Sequence, residues 1–334
     1  MSHLHRGHEF PVLPGRLQRL TDELADERVP ALDGAPDPIG ALVELAYALR
    51  PQLHEGRVPT YGVIMPPATF VFDVERAAAS GSVDVIPVND LDVQFARRFA
   101  DGIGSFAVRT GDTISHLACF GRNMADEYDL VGLQSTVGGL IIQRHPSGQV
   151  RVFGPSGVVR WNGIDWHHDA PIDAWIARLA DVAPNLPVDG VRPLLRFAIH
   201  ELGGRRIGAT LIWRPADRPM PAGRTEALVH NAPRLRLDRV GEEAALAHAL
   251  SQTDGASIFD TDATLVAIGI RLAPSSAAAN LIEPMTGMRH TSALRYSHDD
   301  ANAVVIVVSE DGPVTLMHGG HAITTVDPSD ERIG

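Results

Sequence analysis

Apolar positions recur at helical spacing in some stretches and at strand spacing in others, and the two kinds alternate along the chain. That mixture predicts an α/β protein built on mixed sheets flanked by helices. Leu17-Gln18-Arg19-Leu20 and the stretch Asp22 to Arg28 predict a short amphipathic helix, which Pro30, Gly34, Pro36 and Pro38 break. Ile39 to Leu49 predicts a second helix, stopped before Pro51. Thr69 to Val74 and Val83 to Val88 have strand composition, and Leu91 to Ala100 reads as helix ahead of Gly102 and Gly104. Ser105 to Arg109 and Thr113 to Phe120 predict strands, and Tyr128 to Gln134 a helix. Gly139 to Arg144, Gln149 to Phe153 and Val158 to Asn162 then predict a meander, turned by Pro146-Ser147-Gly148.

The stretch from Asp169 to Pro193 is rich in Asp, Ala and Pro, and holds one short helix at about Ile172 to Ala180. It sets a boundary near 185 to 190 and an expected division into residues 1–188, residues 189–326 and a tail, 327–334. Past it, Val191 to Leu202 predicts an amphipathic helix closed by Gly203-Gly204. Ile207 to Trp213 predicts a buried strand, Glu242 to Leu250 a helix, and Ala256 to Phe259 with Thr264 to Ile270 a hairpin around Asp260 to Asp262. Ala303 to Ser309 predicts a central strand paired with Val314 to His318 across Asp311-Gly312-Pro313. Helix, glycine turn, strands and helix come twice in similar order, with Ser135 to Leu140 placed like Ser251 to Ala256. A distant internal repeat and the ordinary alternation of α/β domains both account for that order.

Composition narrows the function. The 334 residues are 44% apolar and 21% charged, an ordinary globular balance, with a formal net charge of −12. A net negative field disfavours non-specific binding to nucleic acid or anionic membranes, so neither is expected as a partner. A single cysteine, Cys119, excludes an intrachain disulfide and a cysteine-based zinc site, and reads as a small buried apolar residue. His3, His5 and His8 read as a terminal tail. No apolar run is long enough for a signal sequence or a membrane span, so a cytoplasmic protein is expected.

Three clusters in the second half carry chemistry. Asp254-Gly255-Ala256 stands where a helix gives way to a strand, a place for a carboxylate that holds a divalent cation or orients a hydroxyl, with small residues that let a phosphate approach. Gly287-Met288-Arg289-His290-Thr291-Ser292 is a glycine loop opening a helix. Free backbone N–H groups, a forked cation and hydroxyls there suit phosphate. Ser309-Glu310 ends a strand and offers a second carboxylate. Taken singly each also reads as a common turn or cap; in this order they suit metal-assisted nucleotidyl transfer. In the first half, Trp161, Trp166, His167 and His168 read either as a ligand site or as core aromatics beside a polar surface pair.

These motifs resemble the diadenylate cyclase domain. That family carries Asp-Gly-Ala, then Gly-Thr-Arg-His-Arg, then a strand ending in Ser-Glu. Here they are Asp254-Gly255-Ala256, Gly287-Met288-Arg289-His290-Thr291 and Val304 to Glu310, preceded by Phe197 to His200 and Arg205 to Ala209 in the place of the family's first helix and strand. The resemblance implies a face-to-face pair of domains that joins two ATP into cyclic di-AMP, and so at least a homodimer. It implies Asp254, Arg289 and His290 in catalysis, and Gly255, Ala256, Gly287, Arg289, His290, Thr291 and Ser309 against the nucleotide. Asp254 and Glu310 would hold Mg²⁺ or Mn²⁺. Residues 1–188 would be a sensor or regulatory module. Met288 and Thr291 depart from the family, losing a hydroxyl and a cation near the phosphates, which keeps open a non-catalytic receptor of ATP or cyclic di-AMP on the same fold.

Overall fold

The computed structural model describes residues 13–50, 56, 58–68, 83–88, 91–215, 218, 221, 223, 225–227, 231–285, 287–310 and 314–323. The histidine tail, the strand expected at Thr69 to Val74, the turn Asp311-Gly312-Pro313 and the tail 327–334 lie outside them. The chain forms two compact units, residues 1–168 and 169–334.

The first unit begins with α1 (Gly15–Asp26) and α2 (Pro38–Ala48); Asp37 caps α2 by accepting from the Gly40 N–H, with Pro38 at its first turn. Next come β1 (Tyr61–Met65) and β2 (Val83–Pro87), then α3 (Val93–Ala96), which runs into a 3₁₀ turn, Arg97–Phe99. After them follow β3 (Ser105–Thr110), β4 (Thr113–Phe120), α4 (Glu127–Val137), β5 (Leu140–Arg144), β6 (Val150–Gly154), β7 (Gly157–Trp161) and β8 (Trp166–Asp169). One eight-stranded sheet runs in the order β2-β4-β3-β1-β5-β6-β7-β8. β1, its centre, was not anticipated: all five residues are buried, so it shows no alternation.

In the second unit α5 (Ile172–Val182) buries Trp175, Ile176 and Leu179 in the main core. A 3₁₀ turn (Val188–Val191) leads to α6 (Arg192–Arg196), which widens into a π-helix, Phe197–Gly203, where one amphipathic α-helix was expected. Leu194, Leu195, Phe197, Ala198, Ile199 and Leu202 are all fully buried, and the wider turn brings more of these neighbours onto one side. β9 (Ala209–Trp213), β10 (Thr225–Ala227), α7 (Val240–Leu250), β11 (Ala256–Phe259), β12 (Leu265–Leu272), α8 (Ser276–Leu281), α9 (Met288–Asp299), β13 (Val304–Val308), β14 (Val314–His318) and β15 (His321–Ile323) complete it. The sheet order is β10-β12-β11-β9-β13-β14-β15. Every residue of β13 is fully buried, and each such Val or Ile contributes roughly 1.5–3 kcal/mol of burial.

The two sheets share one topology. β1 runs parallel to β3 and antiparallel to β5, as β9 does with β11 and β13. β4 against β3 repeats as β12 against β11, the edge pair β2–β4 as β10–β12, and β5-β6-β7 as β13-β14-β15. The repeat is therefore real, but its register differs from the expected one. Ser135 to Leu140 runs from α4 into β5 and matches the step from α9 into β13, not Ser251 to Ala256. On the helix-covered face the matched positions have diverged: Tyr61 and Arg144 pair at the end of β1 and β5 where the second unit has Ala209 and Val308. Beneath α2 the fully buried Glu44 accepts from the Tyr61 hydroxyl at 2.6 Å, from Arg97 at 2.8 and 3.1 Å, and from Arg109.

Candidate active site

β9 is the axis of the site. Thr210 pairs with Ala256 on one side and Ala209 with Val308 on the other. Continuing both registers outward sets Gly208 beside Asp254 and beside Ser309. Strands lie about 4.8 Å apart, so Asp254 and Ser309 flank Gly208 at roughly 10 Å from each other. Asp254 thus enters at the amino end of β11 and Ser309-Glu310 at the carboxyl end of β13, and the antiparallel pairing brings them to the same edge.

Helix α9 supplies the cation. Gly287, its N-cap, has φ +94° and no side chain to cap the first turn, so among the described residues no side-chain cap competes with an anion for the backbone N–H groups of Met288, Arg289 and His290. Arg289 reaches over Gly208: a Cβ built there would fall 2.5 Å from Arg289 Nη1 and 2.8 Å from Glu310 Cγ. Arg289 Nη2 stands 3.8 Å from Glu310 Oε1, a loose pair at 40% and 68% side-chain exposure, held well short of a tight fork. The other end of α9 is pinned. Buried Asp300 accepts from Tyr296 at 3.1 Å and from Arg214 at 3.2 Å, and Asp299 accepts from the backbone and hydroxyl of Ser275, both at 2.6 Å.

His290 is half-buried, with Nε2 3.3 Å from Thr315 Oγ1 on β14. Burial first, then the charge of Arg289, lower its pKa. Thr291 faces its own loop. Its hydroxyl accepts from the Met285 N–H at 3.0 Å and lies 3.0 and 3.1 Å from the carbonyls of Met285 and Gly287, stapling the loop to the helix. Met288 is 91% exposed. A groove of about 530 Å³ opens along the same loop, walled by Pro274, Pro284, Met285 and Met288, with Thr291, Ser292 and Arg295 as its polar groups.

Gly255 has φ +99°, and a Cβ there would meet the Ile270 carbonyl at 2.9 Å, so both its dihedral and the approach of β12 require glycine. Ala256 is buried in the core between α9 and the sheet. Among the described residues no three His, Cys, Asp or Glu side chains converge as a ready-made metal cage. Asp254 and Glu310 are both exposed carboxylates at one edge, a donor set that suits Mg²⁺ or Mn²⁺ only when substrate oxygens complete it. Gly208 and Thr315 were not singled out from the sequence. Gly208 stood in the opening phrase Arg205 to Ala209, but Thr315 had no signal at all.

Among its described residues the first unit lacks this arrangement. The matched registers set Gly104 where the second unit has Asp254, and His145 where it has Ser309. α4 opens with Glu127 and Asp129 instead of a cation, and Glu127 is buried against Arg160. The tryptophans are core aromatics: Trp166 is buried, packs tilted against Trp161 with ring centres 5.1 Å apart and donates to Glu23, while His167 and His168 bond to Asn162 and to the Ser156 carbonyl. Cys119 is half-buried, less enclosed than its residue type suggested, and burial raises its pKa.

Residues 196–322 match the model of the DisA bacterial checkpoint controller nucleotide-binding family, and residues 18–169 match the probable sensor domain DACNK. No curated protein matches the chain. Among solved structures it is similar to a hypothetical membrane spanning protein from Bacillus cereus, at 19% identity over 46% of this chain and 71% of that one, TM-score 0.34. It is also similar to a double mutant of DacA from Staphylococcus aureus, at 17% identity over 43% of this chain and 90% of that one, TM-score 0.28. The two family matches cover separate parts of the chain, a DisA-type nucleotide-binding domain at residues 196–322 and, before it, a probable sensor domain of the DACNK type at residues 18–169. No helix among the described residues is long and apolar enough to cross a membrane.

Proposed function

We propose that this protein condenses two ATP into cyclic di-AMP and pyrophosphate, and that residues 18–169 serve as its sensor module. The observation that carries the reading is the edge where Arg289 and Glu310 close over Gly208 at the start of α9, with Asp254 placed at the same edge by continuing the β9–β11 register. A triphosphate placed there replaces Glu310 as the partner of Arg289, exchanging a loose ion pair for charge-assisted bonds to phosphate. The open N–H groups of the first turn receive further oxygens.

The second ATP comes from a second copy of the domain facing the first, so the working form is at least a homodimer. Each ribose 3′-hydroxyl attacks the α-phosphorus of the other ATP. One P–O bond forms, the bond to the β-phosphate bridging oxygen breaks, and pyrophosphate leaves. Asp254 orients the hydroxyl and accepts its proton. Arg289 and His290 stabilise charge on the phosphates as it moves to the leaving group. Mg²⁺ or Mn²⁺, held by Asp254 and Glu310 with phosphate oxygens, would supply charge neutralisation there.

A second reading rests on Thr291. Its hydroxyl serves the loop, so within residues 287–291 Arg289 alone offers a guanidinium to the phosphates, which suits a receptor that binds ATP or cyclic di-AMP without turnover. One experiment separates the two: purified protein with ATP and Mg²⁺ or Mn²⁺, products identified by mass, beside Asp254→Asn. Cyclic di-AMP from wild type and none from the variant supports the cyclase. No product at any metal or protein concentration, with ATP still raising the melting temperature, supports the receptor.

A further inference from the structure

Of the groups that touch the anion loop, His290 has two ring nitrogens with different surroundings. Nε2 lies 3.3 Å from Thr315 Oγ1. Nδ1 turns the other way, 3.9 Å from where a Cβ would sit on Gly287, the uncapped start of α9. A neutral imidazole carries one proton, and the partner of one nitrogen decides which. Burial and Arg289 both favour the neutral ring.

We propose that Thr315 is a positioning residue for the reaction: its hydroxyl donates to His290 Nε2, which fixes the proton on Nδ1 and aims that N–H at the phosphate held by the first turn of α9. The opposite assignment has Nε2–H donating to Thr315 and turns the Nδ1 lone pair toward an oxyanion, which is repulsive. Thr315 reaches the ring because β14 pairs with β13, Thr315 opposite Val307, on the face that α9 covers. The hydroxyl holds the ring in place as well as its tautomer, since a β-branched residue on a paired strand has little rotamer freedom. The inference concerns the site of the proposed cyclase and rests on that reading for its kinetic consequence only.

The test uses the full chain, labelled with ¹⁵N histidine, as wild type, Thr315→Val and Thr315→Ser, titrated with inorganic pyrophosphate. Valine keeps the shape and removes the hydroxyl, and serine keeps the hydroxyl. Wild type and Thr315→Ser are expected to show the Nδ1–H pattern for His290, and Thr315→Val a shift toward Nε2–H. In the ATP reaction kcat for Thr315→Val is expected to fall about tenfold with KM little changed, and Thr315→Ser to recover most of it. Equal nitrogen shifts in wild type and Thr315→Val would overturn the proposal. So would a kcat loss that serine does not restore. If wild type forms no product, the cyclase reading fails, while the nitrogen shifts still decide the role of Thr315.

Discussion

Replacing Gly208 by alanine tests the site without removing any group that bonds to substrate. The added Cβ would lie 2.5 Å from Arg289 Nη1, 2.8 Å from Glu310 Cγ and 3.1 Å from Glu310 Oε1. Ordinary contact needs about 3.5 Å, so the guanidinium must move by about 1 Å. The obstacles belong to two exposed side chains, the tip of Arg289 and the stem and tip of Glu310, which can yield at little cost to the fold. Gly208 is not one of the left-handed glycines, so alanine adds no backbone strain and removes freedom from the unfolded chain, worth about 0.4–1 kcal/mol in its favour. Stability should therefore stay within about 1 kcal/mol of wild type. Catalysis should not: a 1 Å displacement of a positioned group costs up to about 100-fold, or about 2.7 kcal/mol in kcat/KM. Initial rates of cyclic di-AMP formation, beside thermal unfolding of the same samples, measure both. Wild-type kcat/KM in Gly208→Ala would refute the role given to Arg289 above this glycine. A large drop in melting temperature would refute the claim that the obstruction is local.

Three further outcomes follow from the same geometry. Asp254→Asn should abolish product and leave the unfolding free energy from urea denaturation unchanged within about 0.5 kcal/mol, because the side chain is exposed. Glu44→Ala strands Arg97 and Arg109 without their shared carboxylate and should destabilise the first unit by about 3–5 kcal/mol, read as faster hydrogen exchange in α2 and β1; unchanged exchange would show that the cluster is not a structural pin. His145 is held down to about 4 by burial first and then by Arg151. The unfolded chain protonates this ring near 6.5 while the folded chain does not, so stability should fall as pH drops from 6.5 toward 4 and level off below. Discounted for its half-buried, water-screened position, the loss is about 1–2 kcal/mol. Urea unfolding at pH 7, 5.5 and 4.5 should show this slope in wild type and a smaller one in His145→Gln.

The sequence alone was enough for the alternation of helices and strands, the three motifs of the second half and the family they resemble. It could be so because each motif is a contiguous turn or helix start, where local backbone geometry and chemistry coincide in a few neighbouring residues. The meander of the first half was legible for a similar reason: its strands are joined by short turns. What needed the tertiary structure was everything set by pairing between distant segments. β1 hid because five buried residues carry no alternation, and its partners β3 and β5 lie far along the chain. Gly208 and Thr315 have no local signature; only the registers of β9 and β14 bring them under Arg289 and His290. The repeat was visible in the order of elements but misregistered. Topology survives wherever strand pairing is kept, whereas side chains on the packed face differ, Ala209 and Val308 in one unit and Tyr61 and Arg144 in the other, where Glu44 receives the Tyr61 hydroxyl and the carbonyls of Ala48 and Arg50 receive Arg144.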